Sequence, residues 1–279
     1  MRQINLGGKL LDFSRPMIMG VINLTPDSFY SGSRMEGIDK VVALTDRMLN
    51  DGADIIDIGA FSSRPGAVMI SIEEEQQRLH PVVEALFQTF PDLHLSIDSY
   101  RSEVLRPLAD KYTFIVNDIT AFEEDPKILD LIKANGLPYI LMHMKDMPDN
   151  MQDKAKYGDV NFEVLDFLAQ KLHILQSKGI YDVIIDPGFG FGKTIDHNYQ
   201  LLNKLNSFNI FELPVLAGLS RKSMIHKVLK ISAEEALNGT TALNMIALQN
   251  GAKVLRVHDV KEAHQCVQLW QRLQAAVNN

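Results

Sequence analysis

One phrase recurs along this chain, and its recurrence restricts the fold more than any other property. Asn50-Asp51-Gly52-Ala53 leads into Asp-Ile-Ile-Asp-Ile-Gly, and Asn135-Gly136 into Leu-Pro-Tyr-Ile-Leu-Met-His-Met. Lys178-Gly179 leads into Ile-Tyr-Asp-Val-Ile-Ile-Asp-Pro, and Asn250-Gly251-Ala252 into Lys-Val-Leu-Arg-Val-His. Each time an amphipathic stretch ends, a glycine follows and a short apolar run begins. Glycine just past a helix takes the left-handed geometry that closes the last turn, because it has no Cβ to clash. The phrase is a helix-to-strand connection.

Eight apolar runs are candidate strands: Met17–Ile22, Ile55–Ile58, Leu95–Ile97, Phe114–Val116, Tyr139–Met142, Val183–Ile185, Val215–Ala217 and Val254–Val257. They are continuous rather than alternating, as expected of parallel strands covered on both faces. Helical patterns separate them, among them Val41–Leu49, Ile72–Phe90, Phe162–Gln176, Ala233–Gln249 and Val260–Ala276. Phe162, Leu165, Leu168, Leu172 and Leu175 recur every three or four residues and define one expected buried face. Pro81 is expected to kink or split its helix. Eight strand-helix units in 279 residues predict an α/β fold, a (β/α)8 TIM barrel. The alternative is an open doubly wound sheet, which commonly has fewer strands. No Gly/Ser/Pro-rich linker divides the chain, so residues 1–279 are read as one domain.

Composition narrows the function by exclusion. The net charge is −7 and the basic residues form no run, which argues against a nucleic-acid footprint. An anionic ligand must then be met by local cations or a metal, against the mean field. No apolar stretch approaches a membrane span. The single cysteine, Cys266, permits no internal disulfide, and Met1 to Phe13 lacks a signal-peptide core. The expected location is the cytoplasm.

In such a barrel the site lies at the C-terminal strand ends. There the chain places Asn23; Ser62, Ser63 and Arg64; Asp98; Asn117 and Asp118; His143; Asp186; Ser220, Arg221 and Lys222; Arg256 and His258. One Asp or Asn after a strand is commonly only a helix cap. A polar residue at nearly every strand end is the case for an enzyme. Asp98, Asn117 and Asp186 offer acceptors and an amide suited to a flat heterocycle with adjacent N–H and amino donors. Arg64, Arg256 and His258 suit a phosphate or diphosphate. Asn23 adds a neutral oxygen for a hard ion such as Mg²⁺, which usually shares its shell with substrate phosphates.

Two segments have competing readings. Asp186-Pro-Gly-Phe-Gly-Phe-Gly-Lys-Thr194 nearly matches a nucleotide P-loop, but Pro187 replaces the first glycine and two phenylalanines fill the loop. Its glycines are read as shaping a strand-to-helix turn, with Phe191 facing a ligand or packing under the loop. Ser223 follows Ser220-Arg-Lys at a helix start, where backbone N–H groups attract a carboxylate or an ordinary cap suffices. His143 is read as structural or as supporting a residue that touches the ligand, because a single buried histidine is more often a hydrogen-bonded core residue than a catalyst, and no histidine has zinc spacing.

The chain resembles the dihydropteroate synthase family over nearly its full length. The matching segments are Asn23-Leu-Thr-Pro-Asp-Ser-Phe29, Ser62-Ser-Arg-Pro-Gly66, Ser96-Ile-Asp-Ser99, Asn117-Asp118, Asp186-Pro-Gly-Phe-Gly-Phe-Gly-Lys193, Ser220-Arg-Lys-Ser223 and Arg256-Val-His-Asp259. They stand in the family's order at comparable spacing. The family's second loop usually reads Gly-Gly-Glu-Ser-Thr-Arg-Pro-Gly. Here Ala60, Phe61 and Ser63 replace the second glycine, the glutamate and the threonine.

The resemblance implies a TIM barrel, usually a homodimer, that joins 4-aminobenzoate to 6-hydroxymethyl-7,8-dihydropterin diphosphate with Mg²⁺ in folate synthesis. It implies pterin binding by Asp98, Asn117, Asp186 and Lys222. It implies that Asn23, Ser63, Arg256 and His258 hold the diphosphate, with Asn23 also on the metal. Phe29, Pro65, Phe191 and Ser223 would enclose the aminobenzoate. Asp98, Asn23, Lys222 and Arg64 are the implied catalytic set, and Asp27, Phe29, Ser63, Arg64 and Pro65 fall on two mobile loops. Two alternatives share the pterin-binding barrel: a methyltetrahydrofolate–corrinoid methyltransferase, which should lack those loops, and a non-catalytic paralogue, which the Ala60-Phe61 pair keeps open.

Overall fold

The computed structural model describes residues 3–24, 34–61, 70–145 and 155–277. A hairpin of β1 (Gln3–Leu6) and β2 (Lys9–Asp12) precedes eight parallel strands. These are β3 (Met17–Asn23), β4 (Ile55–Gly59), β5 (Leu95–Asp98), β6 (Ile115–Asp118), β7 (Tyr139–Met142), β8 (Val183–Asp186), β9 (Leu216–Ala217) and β10 (Val254–Val257). They pair in the order β8-β7-β6-β5-β4-β3-β10-β9, and a parallel bridge between Ile185 and Val215 joins the two ends. The result is the (β/α)8 barrel, not the open sheet.

All eight expected strands form within a residue or two of their predicted ends. Gly52, Gly136, Gly179 and Gly251 have φ of +103°, +59°, +80° and +96°, the geometry that the recurring phrase requires. Three details differ from expectation, with no split at Pro81 among them. Phe162 is 68% exposed, and the buried face of the Val160–Ser177 helix runs instead through Val160, Val164, Leu168, Leu172 and Leu175. At 100° per residue Val164 belongs with Leu168 and Phe162 does not, so an equally spaced aromatic misled the reading. The Ile72–Thr89 helix runs unbroken through Pro81. The last pattern before β10 becomes helical only at Leu237.

The hairpin escaped the sequence reading. Its Ile4, Leu6 and Leu11 join Met19, Ile55, Ile115, Ile140, Ile184, Leu216 and Val254 in one cluster. It plugs the N-terminal end of the barrel with apolar side chains and leaves the chemistry to the other end. Asn5-Leu-Gly-Gly-Lys9 held the signal: Gly7 and Gly8 both have positive φ, as a two-residue hairpin turn demands.

Strand periodicity then places the site. Side chains two apart in a strand share a face. Stepping two residues up from Ile55, Ile115, Ile184 and Val254 in the basal plug gives Asp57, Asn117, Asp186 and Arg256. The barrel interior is apolar at its base and charged one layer higher.

Candidate active site

Arg256 organises that upper layer. Its Nε donates to Asp57 Oδ2 at 2.7 Å, and its Nη2 to Asp98 Oδ2 at 3.0 Å. Asn117 Nδ2 reaches both Asp57 oxygens, at 3.2 and 3.3 Å. Asp57 is fully buried, and Asp98, Asn117 and Asp186 nearly so. Burial opposes the charge on Arg256, but Asp57 and Asp98 outweigh it and raise its pKa. Asp98 is held differently. Burial lifts its carboxyl to about 7, Arg256 opposes the rise and Asp57 adds to it. Its Oδ1 is buried with no hydrogen-bond partner among the described residues. A buried acceptor left open at a barrel mouth is a place for a ligand's donor.

Asp186 closes the layer from β8. Burial raises its pKa while Lys222 lowers it, and its Oδ1 accepts the Gly188 N–H at 2.7 Å. Lys222 donates to Phe189 O and lies 4.8 Å from the Phe191 ring centroid. Burial brings the Lys222 ammonium down to about 8, with Asp186 pulling it back up. An ammonium has three N–H donors, so those not spent on Phe189 O are available to a substrate.

The Asp186–Thr194 loop is not a phosphate cradle. Its lysine, Lys193, is buried and turned inward. Nζ donates to Gly188 O at 2.7 Å, Phe191 O at 3.0 Å and His143 O at 3.3 Å, and lies 2.9 Å from His143 Nδ1. Gly188, Gly190 and Gly192 all have positive φ, so the loop curls around that ammonium. A Cβ on Gly188 would sit 1.9 Å from His143 O. His143 serves that loop through Lys193, which fits either expected reading. Burial, then Lys193, drive its pKa down to about 2, so its ring is neutral and can accept from Nζ.

Around the rim, Ser220 Oγ lies 3.0 Å from His258 Nδ1. Arg221 grips Asp259 through Nε and Nη2, at 2.9 and 2.7 Å. Ser223 begins the Ser223–Leu229 helix and is half-buried. Asn23 ends β3, in register with Gly59. Tyr100, Ile119, Met142, Met144, Phe61 and Phe191 form an apolar wall, with Phe61 edge-on to Tyr100 at 5.7 Å.

The sequence reading and the structure differ at two aspartates. Asp118 does not join the site. Its carboxylate accepts from Thr120, from the Phe122 N–H and from Tyr139 Oη at 2.7 Å, outside the barrel lumen. It stands one position from Asn117, which is enough to change face. Asp57 was missed; the signal was a carboxylate within the continuous run Ile-Ile-Asp-Ile, where burial on both faces demands a partner. Phe29, Ser63, Arg64 and Pro65, with Asp27 and Ser62, lie outside the described residues.

Comparison with known proteins agrees with this geometry. A family model described as pterin binding enzyme matches residues 19–258. The dihydropteroate synthase of Escherichia coli strain K12 is 42% identical over 274 residues, 98% of this chain and 96% of that one. The Yersinia pestis dihydropteroate synthase, solved in a sulfonamide drug complex, superposes with a TM-score of 0.91 at 40% identity. That match covers 98% of this chain and 99% of the other. The Xanthomonas albilineans dihydropteroate synthase, solved with 4-aminobenzoic acid, gives 0.89 at 38% identity and covers 98% of each chain.

Proposed function

This chain belongs to the dihydropteroate synthases of the pterin-binding enzyme family, and from that premise we infer how its own residues divide the reaction. The reaction is an alkyl transfer of folate biosynthesis: 6-hydroxymethyl-7,8-dihydropterin diphosphate and 4-aminobenzoate give 7,8-dihydropteroate and diphosphate. The observation that carries the assignment of roles is the pair of oxygens on Asp98. One is tied to Arg256 and the other is buried and open.

The open oxygen, with Asn117, Asp186 and Lys222, receives the donor and acceptor edge of the pterin. Arg256 and His258 meet the diphosphate. The substrate's methylene carbon thus lies between an anionic and a cationic lining. Its bond to oxygen breaks with both electrons leaving on diphosphate. Asp98, as carboxylate, stabilises the pterin cation left behind, and Arg256 and His258 stabilise the departing charge. The lone pair of the aminobenzoate nitrogen then forms the new carbon–nitrogen bond, and the nitrogen passes one proton to the released diphosphate. Phe191 lies against the aryl ring and Ser223 meets its carboxylate. Phe29, Ser63, Arg64 and Pro65 keep the roles that the resemblance implies.

The residues fit Mg²⁺ carried by the diphosphate rather than an ion caged by protein. No group of three His, Cys, Asp or Glu among the described residues could hold a metal. Asn23 offers one amide oxygen at the rim, which suits an ion whose shell is completed by phosphates and water. When bound, the ion neutralises leaving-group charge. The chain is proposed to pair as a homodimer. Val228, Leu229, Ile246, Leu269 and Leu273 are exposed apolar residues on neighbouring helices. Light scattering should find twice the 31.4 kDa chain mass, and half of that for Leu269→Glu. No described helix is long and apolar enough to cross a membrane, and the one cysteine, Cys266, is buried and unpaired; we place the reaction in the cytoplasm.

The test is diphosphate release by the purified protein. Sustained over many turnovers, it should require both substrates and stop when EDTA removes Mg²⁺. Continued turnover without aminobenzoate incorporation, or release undiminished by chelation, would overturn this division of roles.

A further inference from the structure

Ser220 has a single hydroxyl proton and a constrained place to put it. The residue is buried just after β9. Its Oγ accepts the His258 backbone N–H at 3.2 Å and stands 3.0 Å from His258 Nδ1. Among the described residues, Nδ1 is the one acceptor that this hydroxyl meets. Were Nδ1 protonated, Oγ would face two N–H donors, and its own proton would be buried without an acceptor among the described residues. Buried polar groups avoid that arrangement.

We propose that Ser220 is a positioning residue that holds His258 as the neutral tautomer with its proton on Nε2. The inference rests on the reading of His258 as a diphosphate contact and deepens it. Which nitrogen of an imidazole carries the proton is set by the bond that the other nitrogen makes. A bare Nδ1 accepting from Ser220 puts the ring's proton on Nε2, the form in which that nitrogen can donate to an anionic oxygen. The opposite tautomer offers a lone pair, which repels that oxygen. The serine thus does for His258 what a second-layer ligand does for a metal-bound histidine. It spends a local hydrogen bond on the sign of the group presented to substrate.

The experiment is long-range ¹H–¹⁵N correlation of the imidazole in ¹⁵N-histidine-labelled protein, at a pH where the ring is neutral. Wild type should show an unprotonated Nδ1 and a protonated Nε2. Ser220→Ala should move His258 toward a mixture of tautomers, while Ser220→Thr, which keeps the hydroxyl, restores the wild-type pattern. The KM for the pterin diphosphate should rise roughly tenfold in Ser220→Ala, as expected for losing one donor to a charged group, with kcat changed less. A protonated Nδ1 in wild type, or identical ring shifts in wild type and Ser220→Ala, overturns the proposal. Titration with inorganic diphosphate and Mg²⁺ separates the two ideas. If the tautomer behaves as stated but diphosphate leaves the ring shifts untouched, Ser220 keeps its role and the anion-contact reading of His258 falls.

Discussion

Arg256 and Asp57 are joined twice through one oxygen: Nη2 stands 2.6 Å and Nε 2.7 Å from the same Asp57 Oδ2. The two residues are 199 positions apart, and the carboxylate is completely buried. A guanidinium bound in this way cannot rotate freely, so its remaining donors point where Asp57 lets them. Arg256 also reaches Asp98, so the residue that orients the cation bears indirectly on the pterin side of the site.

Asp57→Ala should cost about 3 kcal/mol of stability, because it leaves Arg256 short of one anion and Asn117 short of an acceptor. Denaturant unfolding measures that loss. The KM for the pterin diphosphate should rise in the same variant, because Arg256 loses its orientation. A variant as stable as wild type would show that the pair holds nothing together.

Asp98 makes the reaction sensitive to pH. Burial, reinforced by Asp57 and opposed by Arg256, puts its folded pKa at about 7, above the ordinary carboxyl value of 3.8. The folded state therefore binds this proton more tightly than the unfolded chain does. Its contribution to stability is greatest below about pH 4 and falls as pH rises towards about 7. Activity that needs the carboxylate rises over the upper part of that window. The profile of kcat/KM should show an acidic limb near 7 that Asp98→Asn lacks, with turnover reduced about a hundredfold or more. At pH 8 the variant should unfold no more readily than wild type. Wild-type turnover in Asp98→Asn would end the assignment.

Lys193→Met tests the curled loop. Three carbonyls lose their shared donor, so the protein should lose about 2 kcal/mol. Lys222 should lose its seat on Phe189 O and Phe191, raising the KM for the pterin substrate. Gly188→Ala should fail more severely, since its Cβ meets His143 O at 1.9 Å and φ is +70°. Thermal unfolding and substrate titration of both variants check the order.

Phe61→Glu restores the family's glutamate. It removes an edge-on contact with Tyr100 and should cost about 1 kcal/mol. If the apolar wall has taken over that position, kcat stays at the wild-type value. A clear rise in turnover would mean that the missing charge still matters.

Much of the fold was legible because its determinants are local. A glycine with positive φ after each of four helices marks four of the strands, and continuous apolar runs mark all eight; both are properties of neighbours in the chain. The hairpin plug was overlooked although Gly7-Gly8 announced it. Phe162 was misplaced because spacing of three or four residues defines a stripe only when the starting residue truly lies on it.

By itself the sequence determined which polar residues stand at the strand ends: Asn23, Asp98, Asn117, Asp186, Lys222, Arg256 and His258 were all readable there. Tertiary structure alone decided which of them share the lumen and with whom. Asn117 and Asp118 are adjacent in the chain, yet one lines the barrel and the other bonds Tyr139 on its outside. Strand periodicity says that they differ in face but not which face is inward. That choice is made by ring closure, which brings Asp57 to Arg256 across most of the chain and leaves one oxygen of Asp98 open.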